Sequence, residues 1–144
     1  MKLLKRLTYV LDASVILKWH TKENEKNIEN AYRLREDFRT RKIEIIAPEL
    51  LIYEVANVLR YKSALEEKLI LNAITGIYEM RILRPANEDV MKEAVRLARK
   101  YDITVYDSAY ISLANNFGCS LITADKKLLE KIGLLSNILF LNKY

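Results

Sequence analysis

"ITVYDSAYISLANNFGCSLITADKKLL" occupies residues 103–129 and holds a helix, a strand and the start of a second helix in one run. "DSAYISLANNFG" (107–118) is apolar at helical spacing and ends at Gly118, a residue suited to a left-handed helix cap. "CSLITAD" (119–125) is a short apolar run without clean alternation, as in a strand covered on both faces. "DKKLLEKIG" (125–133) is helical again, and Gly133 is expected to cap it as Gly118 caps its predecessor. Two acids punctuate the run. Asp107 opens one helix, and Asp125 closes the strand before the next. Helix capping and the helix dipole account for each of them singly.

The flanking sequence repeats the pattern. Strands are expected at "LTYVLD" (7–12), "IEIIAP" (43–48) and, as an edge, "NILFLN" (137–142), which makes four with 119–125. Helical patterns cover 23–41, 49–64, 65–80 and 87–101. Pro48 suits the first turn of the second of these, and the second and third form a helical hairpin. Asn87 is the expected N-cap of the fourth. Alternating strands and helices predict a three-layer α/β/α sandwich with a mostly parallel central sheet. With no linker or repeat, one domain over residues 1–144 is expected.

Composition narrows the function. The chain carries a net charge of +5 and is 51% hydrophobic, which suits a packed core and a polyanionic partner such as RNA or DNA. Cys119 is the only cysteine, so no internal disulfide forms, and a reduced, buried thiol in the cytoplasm is expected. No apolar run is long enough to span a membrane. There is no glycine-rich phosphate loop, and one histidine with one cysteine gives no convincing nucleophile–base pair.

Four carboxylates remain as candidates. Asp12 closes the first strand, with Ser14 two residues on; capping the short helix "SVILKWH" is its plain explanation. Asp107 and Asp125 have equivalent explanations. Glu54 lies mid-helix in "LLIYEVANVLR", away from either end, so it is either partly buried with a partner or on a narrow solvent strip. Glu49, in the expected first turn, serves the dipole. Read jointly, the four acids converge on the carboxyl end of one sheet, where α/β proteins bind ligands. Clustered carboxylates require protonation or a cation. All-oxygen ligands select a hard metal, Mg2+ or Mn2+, which suits phosphodiester displacement by water.

"YVLDASVI", "APELLIYEVANVLR", "YDITVYDSAYISLANNFGCSLITADKKLL" and the final "ILFL" together resemble a PIN domain, nearest to the VapC-type toxin ribonucleases. The resemblance runs nearly the whole chain in order. It implies an endoribonuclease that hydrolyses RNA with Mg2+ or Mn2+, leaving a 5′-phosphate. It carries the first acid onto Asp12, the glutamate after strand two onto Glu54, the acid of "YDxxY" onto Asp107 and that of "TxD" onto Asp125, with Ser14 and Thr123 supporting. Asp12, Asp107 and Asp125 would hold metal, with Glu54 as ligand or water-orienting base. It also implies a cognate antitoxin and a homodimer. Lys18, Arg60, Lys126 and Lys127 are candidates for substrate phosphates, with a solvated basic surface as the alternative. Tyr110, the second tyrosine of the pattern, is explained by packing, and Trp19 and His20 by packing or surface. A haloacid-dehalogenase-like phosphatase would need an acid where Ser14 stands, and a receiver domain would need an acceptor acid after the middle strand. A degenerate PIN-like module that only binds RNA or protein is the remaining alternative.

Overall fold

A computed structural model describes residues 5–21, 26–133 and 135–144. β1 (Leu7–Leu11) leads into the short helix α1 (Ala13–Ile16), a 3-10 turn at Leu17–Trp19, and α2 (Ile28–Arg39). β2 (Ile43–Pro48) is followed by α3 (Leu50–Arg60) and α4 (Glu67–Glu79). β3 (Leu83–Arg84), α5 (Glu88–Tyr101), α6 (Val105–Phe117), β4 (Ser120–Thr123), α7 (Lys126–Ile132) and β5 (Ile138–Phe140) complete the order.

The sheet has five strands in the order β3-β2-β1-β4-β5. Every pairing is parallel. The chain moves from β1 outward to β2 and β3, then returns to lay β4 and β5 on the other side of β1. The order therefore reverses between β1 and β4, whose register pairs Leu11 with Ile122. The loops after these two strands part to opposite directions and leave a crevice at their carboxyl ends. Asp12 and Asp125 stand at its lips.

Burial explains why the strands lack alternation. Val10, Leu11, Ile45, Ile46, Leu121 and Ile122 are all core residues, because helices cover both sheet faces. Each such side chain contributes ~1.5–3 kcal/mol by leaving water. α6 packs across β1, β2 and β4, and α2 packs on β2. Trp19 locks the 3-10 turn to α2 by donating its indole N–H to the Ala31 carbonyl at 2.7 Å. Among the described residues no helix is long and apolar enough to cross a membrane.

The structure differs from the sequence reading at several points. The sheet has a fifth strand, β3, which pairs Ala47 with Leu83 and Pro48 with Arg84; two residues carry no readable periodicity. Pro48 ends β2 instead of opening α3, and Glu49 is the N-cap of α3 without a side-chain capping bond. α6 begins at Val105, capped by Thr104, two residues before the expected start. Gly118 has φ 61° and is a left-handed cap, but Gly133 has φ −58° and is not. A Cβ at Gly133 would sit 2.8 Å from the Leu129 carbonyl oxygen, so close approach favours glycine there. Asn87 caps α5 as expected, accepting from the Val90 N–H at 2.9 Å. The helix expected over 23–41 starts at Ile28; residues 23–25 lie outside the described residues. Cys119 is a free thiol but only half-buried.

Candidate active site

Asp12 is the best-anchored acid. It is the N-cap of α1, only 6% exposed. Its Oδ1 accepts from the Ser14 N–H at 3.0 Å and the Ser14 hydroxyl at 2.5 Å. Its Oδ2 accepts from the Thr123 hydroxyl at 2.5 Å. The two hydroxyls in turn tie β4's exit to β1's exit. Ser14 Oγ accepts from the Ala124 N–H at 2.8 Å, and Thr123 Oγ1 accepts from the Asp125 N–H at 3.0 Å. Ser14 and Thr123 thus hold the two lips of the crevice in register. Burial pushes the Asp12 carboxyl up to about 6; its hydroxyl donors offset part of that, and the Asp125 charge adds to it.

Asp125 caps α7, accepting from the Leu128 N–H at 3.1 Å. Asp107 lies in the first turn of α6, within a T-x-x-D capping arrangement, and its N–H donates to Thr104 Oγ1 at 3.0 Å. Burial raises the Asp107 carboxyl above its ordinary range, and the Asp125 charge adds to this against Thr104 and Lys131. Glu54 projects from the middle of α3 and is half-buried. Burial raises it too, and the Asp107 charge contributes.

These perturbations trace one electrostatic chain: Asp12 with Asp125, Asp125 with Asp107, and Asp107 with Glu54. Capping and site are not exclusive, since both capping aspartates also lie in this chain. Among the described residues, however, no three His, Cys, Asp or Glu side chains stand close enough together to cage a metal ion as they are. The donor chemistry still fits a hard dication. All four groups are carboxylates, and a cation between them would relieve both the burial cost and the mutual repulsion.

Packing explains the burial of Tyr110 but not its hydroxyl. The residue is 2% exposed and donates to Glu54 Oε1 at 2.5 Å. Burial raises its phenol, and the charges of Glu54, Asp12 and Asp107 raise it further, so it remains a donor. Two sequence signals pointed to this. Tyr110 follows Asp107 by three residues, so both share a helix face. A fully buried tyrosine hydroxyl also needs a partner.

The basic candidates divide. Lys18, Lys126 and Lys127 line a cleft of about 330 Å³ together with Asp125, Lys26, Asn27 and Phe140. Lys18 is 7% exposed and its ammonium donates to the Lys26 carbonyl at 2.9 Å. Arg60 lies in the last turn of α3, six residues from Glu54 or roughly 9 Å along the helix, and stacks over Tyr61 at 4.8 Å. Trp19 is core. His20 is half-buried, and its Nε2 has no partner among the described residues.

Known proteins bear on this arrangement. The PIN domain family model matches residues 9–134. A relative named Ribonuclease VapC3, from Pyrobaculum aerophilum, is 33% identical over 128 residues, covering 85% of this chain and 92% of that protein. Two solved structures share the fold. The crystal structure of PAE2754 from Pyrobaculum aerophilum has a TM-score of 0.70 at 19% identity, covering 95% of this chain and 85% of that one. A toxin–antitoxin complex from Klebsiella pneumoniae has a TM-score of 0.65 at 11% identity, covering 91% and 95%. The family match spans most of the chain, and the chain belongs to the PIN domain family.

Proposed function

We propose that this chain is the toxin of a toxin–antitoxin pair, an endoribonuclease that hydrolyses RNA phosphodiester bonds with Mg2+ or Mn2+. The observation that carries the reading is four carboxylates, Asp12, Asp125, Asp107 and Glu54, whose charges act on one another in turn, with Asp12 joined through the Thr123 hydroxyl to the Asp125 backbone. The name of the relative, a ribonuclease, supplies the substrate class. Asp12, Asp107 and Asp125 would hold the metal, with Glu54 as a further ligand or the base that orients water. Such an ion supplies Lewis acidity and a lowered water pKa. The protein's own part is positional. Ser14 and Thr123 fix Asp12, and Tyr110 holds one oxygen of Glu54 while leaving the other for water or metal. Lys126 and Lys127, beside Asp125, would meet the phosphates that flank the scissile bond.

The partner is an antitoxin, as in the Klebsiella pneumoniae complex with the same fold. A homodimer is supported by an apolar hollow lined by Pro48, Leu50, Met91, Val105 and Tyr106, with Tyr106 63% exposed. We place the protein in the cytoplasm and treat residues 1–144 as one domain.

One observation favours a second reading, a PIN-like module that only binds: the acids are not gathered into a ready cage. Calorimetric titration with Mn2+ and cleavage of defined RNAs in Mg2+, Mn2+ or EDTA separate the two. The nuclease binds Mn2+ through the four acids and loses cleavage in EDTA. A binding module takes up no Mn2+ and cleaves nothing under any condition.

A further inference from the structure

A second basic surface lies away from the acids. Among the described residues β3 pairs with Ala47 and Pro48 alone, which leaves the first part of β2 as an open sheet edge there. A cleft of about 440 Å³ runs along that edge, and its charged lining among the described residues is Arg6, Arg39, Arg41, Arg81 and Arg84 against Glu44 and Glu79. Three of these arginines have local partners. Arg39 forms two bonds to Glu36, Arg6 lies 3.9 Å from Glu44, and Arg84 donates to the carbonyls of Arg81 and Leu83. Arg41 and Arg81 form no side-chain hydrogen bond or ion pair among the described residues, and both are exposed.

These two share an unusual backbone setting. Thr40 is the C-cap of α2 and Met80 that of α4, so Arg41 and Arg81 each follow a helix C-cap. Their φ angles are 61° and 56°. Glycine usually takes this left-handed position because any Cβ is strained there. Asn27 and Asp102 are also left-handed, but of the four only Arg41 and Arg81 are cationic, and both line one cleft.

We propose that this arginine cleft is a second RNA site, holding the phosphate backbone of a structured substrate away from the acids. The inference rests on the ribonuclease reading for its choice of RNA. Planar guanidinium groups match phosphate oxygens in pairs, which lysine does not. Arg6 lies six residues before Asp12 along β1, a separation of about 20 Å. At about 3.4 Å per stacked nucleotide, that is about six nucleotides. A dinucleotide at the acids does not reach the cleft; a hairpin does.

The test uses the full chain and the double variant Arg41→Gly/Arg81→Gly. Glycine removes the charge and the strain together, so the variant melts no lower than wild type. Binding of a labelled 30-nucleotide RNA hairpin is measured in EDTA over a salt series. The expected result is about tenfold weaker binding, with the slope of log K against log salt reduced by about two. A control pair on α5, Arg96→Gln/Arg99→Gln, loses the same charge and changes binding by no more than about twofold. In Mn2+, dinucleotide cleavage is unchanged by the glycine pair while the KM for the hairpin rises. Hairpin binding equal to wild type overturns the proposal, as does an equal loss in the α5 control. So does tighter, Arg41- and Arg81-dependent binding of duplex DNA or polyglutamate. If wild type cleaves no RNA at all, the ribonuclease reading falls, while the EDTA binding result still judges the cleft.

Discussion

Replacing Asp12 by asparagine should make the metal-free protein more stable at pH 8 and less stable at pH 4. Asp12 is buried, and its carboxyl is raised from 3.8 to about 6 in the native state. The sign follows from linkage. An acid raised on folding holds its proton more tightly in the native state, so its contribution is fully present below pH 3.8. It is lost as pH rises past 6. At 1.36 kcal/mol for each tenfold change in proton affinity, the rise from 3.8 to about 6 means the ionised group costs ~3 kcal/mol above pH 6. The donors Ser14 and Thr123 are already included in that balance. Asparagine keeps an oxygen for the Ser14 N–H, but its amide N–H must meet a hydroxyl that now donates. Serine and threonine hydroxyls can accept instead, at a rearrangement cost of about 1 kcal/mol. The net gain at pH 8 is then about 2 kcal/mol, or a Tm rise of roughly 4–8 °C for a chain of this size. At pH 4 only the cost remains. The assay is urea and thermal unfolding of both proteins in EDTA from pH 4 to pH 8. Mn2+ should reverse the order at pH 8, because metal at a hundred times its Kd adds ~2.7 kcal/mol to wild type and less to the variant. A variant no more stable than wild type at pH 8 in EDTA would refute the argument that Asp12 is held against its own charge.

Four other outcomes follow from the same geometry. Asp107→Asn should cut RNA turnover in Mn2+ on the order of a hundredfold while leaving the EDTA melting temperature unchanged or higher, since the T-x-x-D cap keeps an oxygen and loses repulsion from Asp125. Tyr110→Phe removes a donor to a half-buried carboxylate and should cost ~1.5–3 kcal/mol; the loss should be larger at pH 8 than at pH 4 by urea titration, whereas a pure packing role predicts no pH dependence. His20 is pushed below its ordinary 6.5 by burial and then by Arg35, so stability should fall as pH drops below 6.5, and His20→Phe should flatten that slope in a melting series. Gly133→Ala drives a methyl to 2.8 Å from the Leu129 carbonyl and should cost ~1–3 kcal/mol by urea unfolding, even though its φ suits alanine.

The fold was legible because its strands are apolar throughout and its helices carry clear punctuation. "IEIIAP" ends where β2 ends, and Asn87 caps α5 through its own side chain. What failed was local. β3 is two residues held by pairing to Ala47 and Pro48, a tertiary cause that leaves no periodic trace. Gly133 looked like a second Gly118, but sequence shows only that a glycine is present. A positive φ and a close approach both select that residue, and the backbone differs between them.

The site was legible in its residue types and less so in its partners. Acids at the ends of β1 and β4 point to the crevice only once the strand order is known. The same sequence with β4 at a sheet edge would have separated Asp12 from Asp125 and left both as caps. Adjacent strands bring Thr123 within reach of Asp12, and that bond converts two helix caps into one electrostatic unit. Glu54 shows the complementary limit. Its mid-helix position offered two environments, and the choice depends on a hydroxyl 56 residues away in the chain. Tyr110 is buried for the same reason as its apolar neighbours on α6, so its packing role is real. Its oxygen nonetheless ends against a carboxylate that burial and Asp107 both disfavour as an anion. One bond therefore makes a core residue answer for the charge state of the acid beside it, which is why Tyr110→Phe should separate packing from positioning.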